Sequence, residues 1–218
     1  MIKTILLDLD GPLLDGKYRH YQCYADILSS NGFAAMPMDA YWKMKRARKS
    51  RREQLGVSGA ESIYETFLDE WLRNIEKPEY LALDRVQDGA IEQLQAWHEQ
   101  GIAVVLVTMR SSWGALMSQL ETTGLLPWFA SVVVCEHANS GKGKALALLR
   151  EFPDIAPVSC LWIGDTEADC EAARFLGCPV CLLMCGLRER DYLASLKPDF
   201  LHENLTELEL EKMIEHGA

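Results

Sequence analysis

Two aspartates two residues apart, Asp8 and Asp10, end an apolar run and are followed at once by Gly11-Pro12. Residues two apart on an extended chain face the same way, so both carboxylates can converge on one point. Thr108 follows a second apolar run, 102–107. Gly141-Lys142-Gly143-Lys144 follows a third, 131–135, after a short gap. Gly164-Asp165 follows a fourth, 158–163, with Asp169 one helical turn further on. Gathered at one edge, these residues supply three or four carboxylates, a hydroxyl and a lysine. Hard oxygen ligands with room for water suit Mg²⁺. Cation, lysine and hydroxyl together can neutralise phosphoryl oxygens, which is most of what phosphoryl transfer requires. A carboxylate beside the cation can then serve as nucleophile.

What must bring them together is a sheet. Apolar strands at 2–7, 102–107, 131–135, 158–163 and 179–184 alternate, from residue 84 onward, with helical patterns at 87–99, 112–123, 144–151 and 167–176. Wholly apolar strands between amphipathic helices predict a parallel sheet covered on both faces. Ligands of such sheets bind beyond the carboxyl ends of the strands, where all four candidate segments fall. Residues 15–82 read as helical throughout, with helices over 17–31 and 39–54. A third carries Ile63, Tyr64, Phe67, Leu68, Trp71, Leu72 and Ile75 on one wide apolar face. The expected organisation is a catalytic core from 1–14 and 83–218, with an all-helical cap inserted at 15–82.

The order of these segments resembles the haloacid dehalogenase-like hydrolases, and within them the phosphoglycolate phosphatase-like members. The matching motifs are ILLDLDG at 5–11, VLVT at 105–108, the lysine of GKGKALALL at 141–149 and GDTEAD at 164–169. The resemblance implies a Rossmann-like α/β core with an inserted cap. It also implies Mg²⁺ as cofactor, a small phosphorylated substrate, and a phosphatase that works through an aspartyl-phosphate on Asp8. By matched position, Asp10 is the general acid and base, while Thr108 and the Met109 backbone N–H bind phosphate. Asp8, the Asp10 carbonyl, Asp165 and Asp169 make the metal site, Asp169 directly or through water. Lys142 fits the motif lysine better than Lys144, which is expected to start the helix and point elsewhere. Pro12 departs from the pattern, which has threonine there, and removes a hydroxyl and an N–H. A phosphomutase of the same superfamily, a phosphorylatable receiver-like protein and a catalytically silent binding protein are the alternatives. The second aspartate, Asp10, argues against a true dehalogenase.

With 22 basic against 32 acidic residues the net charge is −10. An acidic chain is a poor partner for nucleic acid or a membrane surface. No apolar run approaches the roughly 20 residues of a membrane-spanning helix, so the expected location is cytoplasmic. Cys178, Cys181 and Cys185 invite a metal or redox reading, but a strand over 179–184 points Cys178 and Cys181 to opposite faces. They are read as small buried hydrophobes. The basic run at 43–52 reads as a solvated helix face. One member, Arg48, falls near an apolar stripe with Tyr41, Met44 and Leu55 and is the candidate specificity residue for a distal substrate anion. Arg110 could contact phosphate, but reads rather as a surface arginine opening a helix.

Overall fold

The computed structural model describes residues 1–135 and 140–210. The run Thr4–Leu7 forms β1, its last three residues fully buried. A two-residue strand follows, β2 (Leu14–Asp15), and then a helical stretch: α1 (Lys17–Ser30), α2 (Met38–Arg46), α3 (Arg51–Val57), α4 (Tyr64–Asn74) and α5 (Pro78–Leu81). The chain continues through β3 (Arg85–Val86), α6 (Ala90–Glu99), β4 (Ala103–Thr108), α7 (Trp113–Thr122), β5 (Ser131–Val134) and α8 (Gly141–Glu151). It ends with β6 (Cys160–Gly164), α9 (Glu167–Leu176), β7 (Val180–Leu183), α10 (Arg190–Ser195) and β8 (Phe200–His202). Among the described residues no helix is long and apolar enough to cross a membrane.

The principal sheet has six strands in the order β5-β4-β1-β6-β7-β8, every neighbouring pair parallel. The α/β class expected from the apolar strands is therefore the one observed. Alternation along β1 sends Ile5 and Leu7 to one face and Leu6 to the other. The first face packs against Leu94 and Trp97 of α6 and Leu116 and Leu120 of α7. The second packs against Leu148 of α8, Ala172 and Ala173 of α9 and Leu193 of α10. Cys181, on β7, lies in the first core and Cys178, just before that strand, in the second.

The chain falls into two compact units, Met1–Asp15 with Val86–Ala218, and Gly16–Arg85. The second is helical and has its own core of Tyr24, Ile27, Leu28, Tyr41, Leu55, Phe67 and Trp71. Its basic segment corrects the expectation of one helix over 39–54. α2 stops at Arg46, and Arg48 takes the left-handed conformation with φ 59°. The Ser50 side chain then accepts from the Glu53 N–H while Glu53 reaches back to the Ser50 N–H. This reciprocal cap opens α3. Arg48 is exposed rather than set on an apolar stripe; the buried cation of α2 is Lys45, 5.2 Å above the Trp71 ring. β8 and α10 were not expected from the sequence.

Candidate active site

β1 lies inside the sheet, with β4 on one side and β6, reached from β5, on the other. Leu7 is in register with Leu106 and with Ile163. Asp8 is thus level with the last residues of both neighbours, and its N–H donates to the Ile163 carbonyl at 3.0 Å. Thr108, Asp165 and Asp8 all emerge at the carboxyl ends of adjacent strands, in the crevice where open parallel sheets bind ligands.

Lys144 is the centre of the charged cluster. Its Nζ lies 2.6 Å from Asp169 Oδ1 and 2.9 Å from Asp8 Oδ1, and only 1% of its side chain is exposed. The helix that carries it starts at Gly141, with the Ser140 side chain accepting from the Gly143 N–H. The expected assignment of Lys142 as the site lysine is therefore corrected. Lys142 is exposed, with its ammonium 5.2 Å from the Phe175 ring. Two residues apart on a helix are about 200° apart around its axis, so only one of the two lysines can face the site. Gly141 lets α8 approach α9 closely. A Cβ there would collide with the Ala168 carbonyl, and the Gly141 N–H donates to Glu171 at 2.9 Å.

Asp169 accepts from five donors. Lys144 Nζ and Trp162 Nε1 bond to Oδ1; the Asp165 N–H, the Thr166 N–H and the Thr166 hydroxyl bond to Oδ2. A carboxylate offers about four lone-pair directions, so Asp169 is saturated by protein donors. Asp165 differs. Its Oδ2 accepts from the Leu187 N–H, while its Oδ1 is buried and meets no hydrogen-bond partner among the described residues. Gly11, at φ 99°, and Gly186 press on this carboxylate so closely that a Cβ on either would overlap it.

The electrostatics follow from burial and from the crowding of charge. Burial pushes the Asp8 carboxyl up to about 7 against the pull of Lys144, with Asp169 and Asp10 adding to the rise. Burial, then Asp169 and Asp8, drive Asp165 well above the carboxylate range. Burial also acts to raise Asp169, but Lys144 and the hydrogen bonds outweigh it and hold Asp169 low. Burial would lower Lys144, yet its two carboxylate partners hold it above the usual lysine range. Two carboxylates raised in this way ask for a further cation.

Oxygens of Asp8, Asp165 and Asp169 lie within 4.8 Å of one another, which among the described residues is the one acidic group so arranged. The unsatisfied Asp165 Oδ1 beside them fits a hard divalent ion such as Mg²⁺. Asp8 and Asp165 have oxygens for it. Asp169, already saturated, suits the role of fixing Lys144 and the strand–helix turn.

Asp10 stands apart from this group. Arg110 grips it with a two-pronged contact, Nε to Oδ2 at 2.7 Å and Nη2 to Oδ1 at 2.8 Å. Arg110 is 5% exposed, so the surface reading of this arginine is also corrected. Thr108 is buried, and its Oγ1 accepts from the Arg110 N–H at 3.3 Å; Met109, between them, exposes its side chain. Arg48 is an exposed residue of the helical unit. Two contributors escape the sequence reading, Trp162 and the Gly186-Leu187 turn; Lys144 is there the second choice to Lys142, and Arg110 a surface residue. For Lys144 the serine cap before the helix was the available signal. For the turn no local signal existed.

Residues 2–177 match the family model of the haloacid dehalogenase-like hydrolases. A phosphoglycolate phosphatase of Thiobacillus denitrificans is 27% identical over 217 residues, covering 96% of this chain and 95% of the relative. The pyrophosphatase PpaX of Anoxybacillus flavithermus is 24% identical over 216 residues, covering 95% of each. Among solved structures, a haloacid dehalogenase-like family hydrolase from Streptococcus pneumoniae superposes with a TM-score of 0.78. It shares 18% identity and covers 94% of this chain and 96% of its own.

Proposed function

The chain belongs to the haloacid dehalogenase-like hydrolase family, and from that premise we propose that it is a Mg²⁺-dependent phosphatase acting on a small phosphorylated metabolite through an aspartyl-phosphate on Asp8. The observation that carries this reading is the pairing, beside Asp8, of a buried lysine with a carboxylate oxygen that has no hydrogen-bond partner among the described residues. Phosphatase names among the relatives support the same reaction class.

An Asp8 oxygen attacks phosphorus as the ester P–O bond breaks, and Asp10 gives its proton to the leaving oxygen. Asp10 then takes a proton from water, whose oxygen bonds to phosphorus as the P–O bond to Asp8 breaks. Lys144 lies against Asp8 and offsets charge on attacker and phosphoryl group alike. The Thr108 hydroxyl and the Met109 N–H would donate to phosphoryl oxygens. Asp8, Asp165 and the Asp10 carbonyl would hold the cation, with Asp169 behind them. Mg²⁺, when bound, supplies positive charge for the phosphoryl oxygens and for Asp8. The helical unit 16–85 would act as the cap that selects substrate and excludes water.

The test is phosphate release, with and without Mg²⁺, across sugar phosphates, nucleotides, phosphorylated acids and pyrophosphate. Acid-quenched enzyme should carry one phosphoryl group on the peptide containing Asp8. Asp8→Asn should fold, bind substrate and release no phosphate. Turnover retained by Asp8→Asn would refute the nucleophile assignment.

A further inference from the structure

We propose that Arg110 is a positioning residue for the hydrolytic half of this reaction, holding the Asp10 carboxylate where it accepts a proton from the attacking water. The inference deepens the phosphatase reading and rests on it.

The two side chains are unequal partners. Arg110 is 5% exposed and Asp10 35% exposed, so the buried residue fixes the more open one. The guanidinium is a rigid planar fork, and its two parallel contacts set both the position and the plane of a carboxylate. A single contact would leave that plane able to turn. The backbone that carries the fork is held at the end of β4, where the Arg110 N–H donates to Thr108 Oγ1. Asp10 lies in a turn whose next residue, Gly11, is left-handed.

Both Asp10 oxygens face N–H donors, a geometry suited to a carboxylate that accepts. Each oxygen spends one lone-pair direction on the fork and keeps another for a proton. The fork thus fixes where Asp10 meets the proton in the hydrolytic half: water loses H⁺ to Asp10, the new P–O bond forms, and the electron pair of the old one returns to Asp8. Nε and Nη2 of Arg110 are directed at Asp10.

para-Nitrophenyl phosphate separates the half-reactions, because nitrophenolate leaves with little need of a proton. In Arg110→Ala, stopped-flow should show a burst of about one nitrophenolate per site, followed by a steady rate lowered on the order of 10²-fold, the scale of a 1 Å misplacement. kcat/KM, which reports only the first half, should stay within about threefold of wild type while kcat falls. Millimolar guanidinium should restore part of the slow phase. Arg110→Lys keeps the charge but loses the fork; it should show the same burst, and it carries the test should the alanine variant not fold by circular dichroism.

Parallel loss of kcat and kcat/KM without a burst would make Arg110 a phosphate-binding group and overturn the proposal. Unchanged kinetics would reduce it to a structural ion pair and overturn it equally. Failure of the phosphatase reading is separately visible, as absence of phosphate release from wild type or survival of turnover in Asp8→Asn.

Discussion

Lys144 sits between Asp8 and Asp169, a positive charge flanked by two carboxylates in a nearly dry setting. Removing one member of a buried ion cluster leaves its partners unpaired, at a cost of about 3–5 kcal/mol. Lys144→Ala should therefore lower the melting temperature markedly, and turnover should fall by roughly 10²–10³-fold, as for loss of a preorganised donor. Lys142→Ala, at an exposed position, should leave melting and turnover close to wild type. Side-by-side melts and rates on the best substrate decide it, and the opposite ranking would refute the geometry. The sequence left these lysines two residues apart in one glycine-rich segment, and their roles turn on where the helix begins. Had Lys142 preceded the helix, it could have reached the sheet edge; with Ser140 as cap, the first turn carries it away. Arg110 was hidden for another reason. An arginine just beyond a strand is ordinarily solvated, and nothing local to it signals a carboxylate a hundred residues earlier in the chain.

At the scale of elements, the parallel sheet was legible because both its faces are covered, which forces nearly every residue of β1, β4, β6 and β7 to be apolar. β8 was not, since three half-buried residues at a sheet edge leave no pattern to read. The break between α2 and α3 was written in Ser50 and Glu53, but a continuous run of basic and helix-favouring residues masked it. α8 and α9 meet at Gly141, where only the lack of a side chain permits their approach. Gly141→Val should push α8 outward and take Lys144 with it. A strain of about 1–3 kcal/mol is typical of such overpacking. Turnover should fall well beyond what the lower stability explains at a temperature where the variant remains folded. A variant with full kcat despite a reduced melting temperature would show that Lys144 reaches Asp8 without the tight α8–α9 contact.

For the molecule as a whole, the seven thiols report on opening. Six are buried and Cys185 is half-buried. Burial pushes Cys23 and Cys178 up to about 12 and Cys135 up to about 11, and raises Cys160, Cys170 and Cys181 as well. At about pH 8 a disulfide reagent should modify Cys185 first, the other six reacting only as the fold opens, because thiolate is the reactive species. Mg²⁺ bound at the acidic group should slow the five of the sheet unit by mass action, to an extent set by its concentration over its Kd. Peptide mass mapping over time reads both effects; equal labelling of all seven, with or without Mg²⁺, would contradict them. The strand order carries one more consequence. β1 is at the centre of the sheet, yet its neighbours β4 and β6 come from far later in the chain. On the ribosome, at roughly 5–20 residues per second, the strand leading to Asp8 must wait several seconds for the first of them. Throughout that time Ile5, Leu6 and Leu7 have no sheet to join, and they form a sticky segment that a nascent-chain chaperone would be well placed to shield. Until β6 is made, Asp8 has neither Asp165 nor Asp169 beside it, so the centre proposed for catalysis can be completed only late in synthesis.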